Sequence, residues 1–259
     1  MLLAIDVGNT NLALGLYRGE ERVGSWRVST QRDRTGDEHA ALFAALLALD
    51  GFRLDQVTAV AIANVVPPLA PALRAFSERY VGRAAEFVGE TLVPDLAVRY
   101  SPPQAVGADR LADAVAVVRK YGTPAVVVDL GTATTFDAVS RTGEYLGGAI
   151  APGIAISLEA LFRTAAHLPR FEVSRPAHPI GSSTVESMRS GAYYGFAGQV
   201  EGIVRRFVAE LGPDTHVVAT GGLAPLIAPE VPAIQHVDLT LTLDGICWLW
   251  YRHHGTGSG

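Results

Sequence analysis

The sequence predicts an α/β fold built from two copies of one domain. Residues 126–139, VVVDLGTATTFDAV, read as a buried β-branched strand that ends in Asp129, turns through Gly131 and leaves in a second strand. Residues 2–17, LLAIDVGNTNLALGLY, run in the same order, with Asp6 and Gly8 equivalent to Asp129 and Gly131 and with Thr10 at the turn. A repeat at about half the chain length points to a duplicated domain and not to a solenoid.

In the first half, the opening hairpin is followed through Arg18, Gly19 and Glu20 by a third strand over 22–29. Thr35, Gly36 and Asp37 lead into an amphipathic helix over 37–50, patterned by Leu42, Phe43, Leu46, Leu47 and Leu49. Residues 57–63 read as a buried strand ended near Pro67 and Pro68, and a helix follows to about Tyr80. Three strands, helix, strand, helix is the order of a ribonuclease-H-like unit. A stretch rich in proline and glycine then passes Tyr100, and Pro102 and Pro103 keep it extended. Gly107 permits a sharp entry into a helix over 108–121. Asp109 falls in the first turn of that helix, where the macrodipole favours its charged form. Taken alone, the residue reads as an acid capping a helix, with Arg110 in a surface ion pair. Asp113, one turn on, shares its face and is expected to serve packing or solvation.

The second half begins near Tyr121. Its exit strand meets a hairpin turn at 141–144, a strand over 146–150 and a helix over 154–164. A proline-broken loop over 168–180 holds His178, read as solvated. Gly181, Ser182, Ser183 and Thr184 cap a long helix that reaches Leu211, with Glu186 in its first turn. A strand over 215–219 delivers Thr220, Gly221 and Gly222, whose glycines allow a ligand to approach the backbone. Residues 239–250 read as a closing apolar helix and 253–259 as a frayed tail. The domains so drawn are 1–118 and 119–259.

Composition narrows the function. Hydrophobic residues make up 49% of 259, enough to fill two cores. No apolar run approaches the ~20 residues of a membrane span, and Asp6 interrupts the first apolar stretch too early for a signal peptide. A cytoplasmic chain without a membrane partner is expected, and a net charge of −5 argues against nucleic acid. The single Cys247 lies in an apolar segment and excludes an internal disulfide. Lys120 is the one lysine and no GxxxxGK[ST] occurs. Nucleotide phosphates would therefore be held by backbone N–H groups and the turn hydroxyls of Thr132, Thr134 and Thr135, with Asp129 beside them to hold a cation.

With these residues laid out, the chain resembles the type III pantothenate kinases, members of the actin-like ATPase and sugar-kinase superfamily. The marks are Asp6-Val7-Gly8-Asn9-Thr10-Asn11, Val106-Gly107-Ala108-Asp109-Arg110, the stretch from Asp129 to Thr135, the stretch from Gly147 to Gly153, and Thr220-Gly221-Gly222. Leu130, Ala63, Asn64 and Ser183 depart from the residues commonest in that family. The resemblance implies two tandem ribonuclease-H-like domains around an interdomain cleft, the actin-like ATPase fold. It implies ATP-dependent phosphorylation of pantothenate to 4'-phosphopantothenate, the first step of coenzyme A biosynthesis. Asp6, Val7, Gly8, Asn9, Thr10, Asn11, Leu12 and Ala13 would form the first phosphate loop for ATP, with Asp6 near magnesium, and Thr132 would lie in the second. Asp129 would hold potassium or ammonium. Tyr100, Gly107, Ala108, Asp109 and Arg110 would hold pantothenate, Asp109 being the proton acceptor. Thr184 would reach pantothenate across a homodimer interface formed by the long helix, whose apolar surface exceeds what one small domain covers. The rival readings are another small-molecule kinase of the superfamily and a non-catalytic ATP-binding regulatory protein. The second leaves Asp109 and Arg110 without a task.

Overall fold

A computed structural model describes residues 1–164 and 169–255. The start of the expected 168–180 loop and residues 256–259 of the expected tail lie outside the described residues. The chain divides into two compact units: residues 1–116 with the segment from 240 onward, and residues 117–239.

The first unit is built on a five-stranded sheet in the order β3-β2-β1-β4-β5. Its strands are β1 (Leu2–Val7), β2 (Asn11–Arg18), β3 (Glu21–Ser29), β4 (Ala59–Asn64) and the short β5 (Glu86–Phe87). β1 pairs antiparallel with β2 and parallel with β4. Leu2, Leu3, Ala4, Ile5 and Val7 are all buried. That is why β1 reads as a continuous apolar run: a central strand with a parallel neighbour is covered on both faces. On one face Leu3, Ile5, Leu14 and Leu16 pack with Phe43 and Leu47 of α1 (Gly36–Leu49) and with Leu73 and Phe76 of α2 (Ala70–Phe76). Phe43 and Phe76 meet edge to face at 5.0 Å, and truncating Phe43 to alanine would cost about 3–5 kcal/mol. A capping box starts α1, the Thr35 hydroxyl accepting from Glu38 N at 3.3 Å and Thr35 N donating to the Glu38 carboxylate at 2.7 Å. α2 continues in a π turn over Ser77–Val81, which takes the helical path to the expected end near Tyr80.

The second unit repeats the order as β10-β9-β6-β7-β8. These strands are β6 (Ala125–Leu130), β7 (Ala133–Val139), β8 (Tyr145–Pro152), β9 (His216–Thr220) and β10 (His236–Val237). β6 takes the place of β1, antiparallel to β7 and parallel to β9. The duplication read from the two Asp–Gly turns is thus a duplication of topology. Val126, Val128, Phe136 and Val217 pack with Ile154 of α4 (Ile154–Thr164) and with Tyr193, Ala197, Val200 and Val204 of α5 (Thr184–Leu211). α3 (Ala108–Tyr121) contains the boundary between the units, and α6 (Ala224–Ile227) follows β9.

The C-terminal helix α7 runs Leu241–His254, four residues past its expected end, so His253 and His254 are helical and not frayed. The sequence reading grouped it with the second half, whereas it packs on β1, β2 and β4 of the first unit. The physical reason is the second apolar face of β1. Leu2, Ala4 and Tyr17 need a cover there, and Leu241, Leu243, Ile246 and Cys247 of α7 are buried. Polar contacts hold the seam: the Tyr17 hydroxyl donates to Asp244 at 2.6 Å, and Trp250 Nε1 donates to Glu86 at 2.9 Å. Among the described residues, no helix is long and apolar enough to cross a membrane.

Candidate active site

In the first unit, Asp6 is the penultimate residue of β1 and is half-buried. Its register neighbours are Ala13 and Ala63, whose small side chains leave the carboxylate uncrowded from either side. The turn that follows closes through Gly8 N donating to Asn11 O at 3.0 Å, and Asn9, Thr10 and Asn11 are exposed. Residues just beyond β3 brace this turn. Thr30 N donates to Thr10 O at 2.9 Å, the Thr30 hydroxyl to Gly8 O at 2.6 Å, and Arg32 Nη2 to Asn9 Oδ1 at 3.1 Å. The sequence reading missed Thr30 and Arg32. Their place depends on β3 register, which sets Ser29 opposite Asn11, and no local motif encodes it.

The start of α3 lies beside the end of β1 through one intermediary, the residue after β4. Val65 N donates to Val7 O at 3.1 Å, and Val65 Cγ1 lies 3.6 Å from where a Cβ on Gly107 would be. The same imagined Cβ would stand 2.5 Å from Asp109 Oδ1, so any larger residue at 107 would displace that carboxylate. The carboxylate folds back to accept from Arg110 N at 2.7 Å. Burial pushes the Asp109 carboxyl above its ordinary value, while the Arg110 backbone N–H and guanidinium pull it back. This corrects the expectation that the helix dipole governs the group. Desolvation is the largest influence, and it favours the protonated form. Arg110 is only 7% exposed, so its guanidinium is buried and is not the surface group of the simpler reading. Tyr100 is half-buried upstream of the helix. Asp113 is buried and accepts from the Thr242 hydroxyl at 2.7 Å, tying α3 to α7 in the packing role expected of it.

In the second unit, Asp129 is the penultimate residue of β6, the position that Asp6 holds in β1. Its register neighbours are Thr135 on β7 and Thr220 on β9, which line up two hydroxyl-bearing residues on either side of the carboxylate. Gly221 has φ +87°, and a Cβ there would stand 2.2 Å from Asp129 Oδ1. The glycine after β9 is what gives the carboxylate its place. Gly131 N donates to Ala133 O at 3.1 Å, and Thr132 is exposed at this turn. Thr134, expected at the turn, belongs to β7 and is fully buried, its hydroxyl lacking a hydrogen-bond partner. Strand alternation turns it to the face of Phe136 and leaves Thr135 on the face of Asp129.

Thr184 opens α5 and is exposed. The capping role falls to its neighbours: Glu186 N donates to the Ser183 hydroxyl at 3.3 Å, and Ser182 N donates to the Glu186 carboxylate at 2.8 Å. Among the described residues the Thr184 hydroxyl is unengaged. Of the large apolar side chains on α5, Tyr193, Val200 and Val204 are buried in the second core, whereas Tyr194, Phe196, Ile203, Phe207, Val208 and Leu211 pack against it and stay partly exposed. Gly191, Gly195 and Gly198 are exposed, with open space where their Cβ atoms would be. Among the described residues no three His, Cys, Asp or Glu side chains gather to hold a metal ion.

Each unit therefore presents a carboxylate at the end of its central strand beside a tight glycine turn. A family model described as type III pantothenate kinase matches residues 2–206. The type III pantothenate kinase of Geobacter sulfurreducens is 51% identical over 253 residues, which cover 98% of this chain and 99% of that one. The type III pantothenate kinase of Myxococcus xanthus is 49% identical over 256 residues, covering 99% and 100%. Among solved structures, the activator of the 2-hydroxyisocaproyl-CoA dehydratase from Clostridium difficile with bound ADPNP matches with a TM-score of 0.57 at 15% identity, over 98% of this chain and 95% of its own. The inorganic polyphosphate/ATP-glucomannokinase from Arthrobacter sp. matches with a TM-score of 0.54 at 15% identity, over 97% and 99%. These two share the actin-like ATPase and sugar-kinase fold and nothing finer. The identity to the curated relatives runs the whole length of both units and is not confined to the glycine turns, and on that ground the chain belongs to the type III pantothenate kinase family.

Proposed function

We propose that this chain transfers the γ-phosphoryl group of ATP to the 4'-hydroxyl of pantothenate, giving 4'-phosphopantothenate and ADP, with Asp109 as proton acceptor. The observation that carries the reading is the Asp109 carboxylate, held by Gly107 and Arg110 N at a helix start that adjoins the end of β1. The substrate oxygen forms a bond to the γ-phosphorus, the bond from that phosphorus to the β–γ bridging oxygen breaks, and the hydroxyl proton passes to the carboxylate. Phosphoryl transfer needs positioning and charge neutralisation more than covalent help. The first turn, Gly8 to Asn11, and Thr132 in the second would hold the ATP phosphates through backbone N–H groups and hydroxyls. A carboxyl raised above its ordinary value is a stronger base than a solvated aspartate and better suited to take a proton near neutral pH. Arg110 and Tyr100 would orient pantothenate.

Two cations fit the residues present. Asp6 is a half-buried hard oxygen donor without two further acids beside it, which suits magnesium, an ion that keeps waters and takes substrate phosphates as ligands. The space that a Cβ on Gly221 would fill leaves Asp129 facing the neighbouring threonines, an all-oxygen donor set suited to potassium or ammonium. Such cations, when bound, neutralise charge on the transferring phosphoryl oxygens. A homodimer is supported by the row of exposed glycines on α5, where a second helix can approach closely, and would place Thr184 at a partner's pantothenate. A cytoplasmic setting accords with a single cysteine, buried and reduced.

The test is a coupled assay with purified protein, ATP, magnesium and pantothenate, run in potassium and in sodium. ADP should appear one for one with phosphorylated pantothenate, and faster in potassium. ADP release that ignores pantothenate but responds to a hexose or acetate would overturn the substrate assignment. Nucleotide binding without turnover of any of these would overturn the enzymatic one.

A further inference from the structure

We propose that Arg32 is a phosphate-binding residue of the nucleotide site, presented by Asn9 and supplying at the first turn the positive charge that the loop itself lacks. The inference rests on the reading of that turn as the ATP phosphate loop. The turn consists of Gly8, Asn9, Thr10 and Asn11, none of them cationic. The single lysine, Lys120, is committed to Asp238 at 2.6 Å in the second unit. Arg32 is exposed and reaches the tip of the turn, where Nη2 donates to Asn9 Oδ1 at 3.1 Å. A guanidinium carries five N–H donors in a rigid fork, and this bond engages one of them. The remaining donors form a fork of the geometry that phosphate oxygens accept in pairs.

The position is built and not accidental. Arg32 lies in a tight turn closed by Arg34 N donating to Gln31 O at 3.3 Å. Two residues earlier, Thr30 is fixed to the same loop at both ends, through Thr10 O at 2.9 Å and Gly8 O at 2.6 Å. Thr30 thus fixes how far the arginine stands from the loop backbone. Thr30 is a positioning residue, and Arg32 is the group that would touch the nucleotide. An ordinary surface arginine would give the Asn9 bond without using the charge, and the experiment separates the two.

Binding of ATP, ADP and adenosine to wild type, Arg32→Gln and Arg32→Lys is measured by calorimetry with magnesium, alongside steady-state kinetics with pantothenate. Glutamine retains an amide N–H able to bond Asn9 but has no charge. Loss of a charge-assisted hydrogen bond should weaken ATP binding in Arg32→Gln by roughly 10-fold or more. ADP should be weakened, adenosine unaffected, and the KM for pantothenate unchanged within about two-fold, with Arg32→Lys recovering much of the ATP affinity. The proposal is overturned if Arg32→Gln binds ATP as wild type does, or if adenosine weakens in parallel. Because binding is read directly, failure of the wild-type protein to phosphorylate pantothenate would count against the proposed reaction and leave this test intact.

Discussion

Replacing Asp109 by asparagine separates the catalytic role of that carboxylate from a structural one. Asparagine keeps the side-chain oxygen that accepts from Arg110 N at 2.7 Å, is nearly isosteric, and removes the ability to take a proton. A positioned base contributes about 10²–10⁴-fold in rate, so kcat should fall by that factor while the KM for ATP stays within a few-fold. Stability should move the other way. The folded-state carboxyl pKa lies above its ordinary 3.8, so the folded protein binds that proton more tightly than the unfolded chain does. Stability attributable to the group therefore falls as pH rises from that value through the raised one, by about 1.4 kcal/mol for each unit between them. Asparagine has no such window. Melting temperatures of variant and wild type should coincide below about pH 4 and diverge in favour of the variant towards neutral pH. Measured across that range by calorimetry, and paired with the coupled ADP assay, the two readouts give four combinations. Activity within a few-fold of wild type refutes the base. A variant that melts well below wild type at neutral pH refutes the account of the carboxylate as a group held at a cost.

Changes at three further places test other parts of the structure. His39 is buried with neither ring nitrogen hydrogen-bonded, and burial, then Arg34, lowers its pKa from 6.5 to about 4. The unfolded chain thus takes up the proton first, and about 3 kcal/mol of stability should vanish as pH falls through that window. His39→Met should flatten this acid limb in pH-dependent urea unfolding, and an unchanged limb would show that other groups produce it. Gly221→Ala places a Cβ 2.2 Å from Asp129 Oδ1 at a backbone φ of +87°. It should raise the KM for ATP and blunt the response to potassium, as Asp129→Asn should, and retention of both properties would refute the cation assignment. Thr184→Val should raise the KM for pantothenate more than that for ATP without lowering the melting temperature, whereas Ser183→Ala removes the cap and should cost about 1 kcal/mol. The reverse pattern would restore Thr184 to a capping role.

What the sequence disclosed and what it hid follow from the range of the interactions involved. The two Asp–Gly turns were legible because each is a local event: an apolar run ending in an acid and a glycine specifies a strand and its turn without reference to the rest of the chain. The central strands and α3 and α4 followed at their observed places. β5 and β10, with two residues each, carry too little pattern to be read. The partner of α7 was hidden for a different reason. Its apolar residues announce that the helix must be covered but not by which sheet, and the answer depends on β1 having a second apolar face to bury.

The same distinction runs through the candidate site. Asp109 was singled out through the resemblance of the stretch from Val106 to Arg110. The local sequence showed the helix dipole but not the desolvation that raises its carboxyl, because the dipole is a property of the helix and desolvation is a property of everything around it. Thr134 and Thr135 look equivalent in a run of threonines, and strand alternation sends one hydroxyl into the core and leaves the other beside Asp129. The cap of α5 falls to Ser183 and not to Thr184, and among the described residues the Thr184 hydroxyl is left unengaged. Thr30 and Arg32 show the limit most plainly. They lie about twenty residues from the loop they brace and arrive there through β3 pairing alone. A local motif specifies such a turn, whereas the side chains that brace it are specified by sheet register.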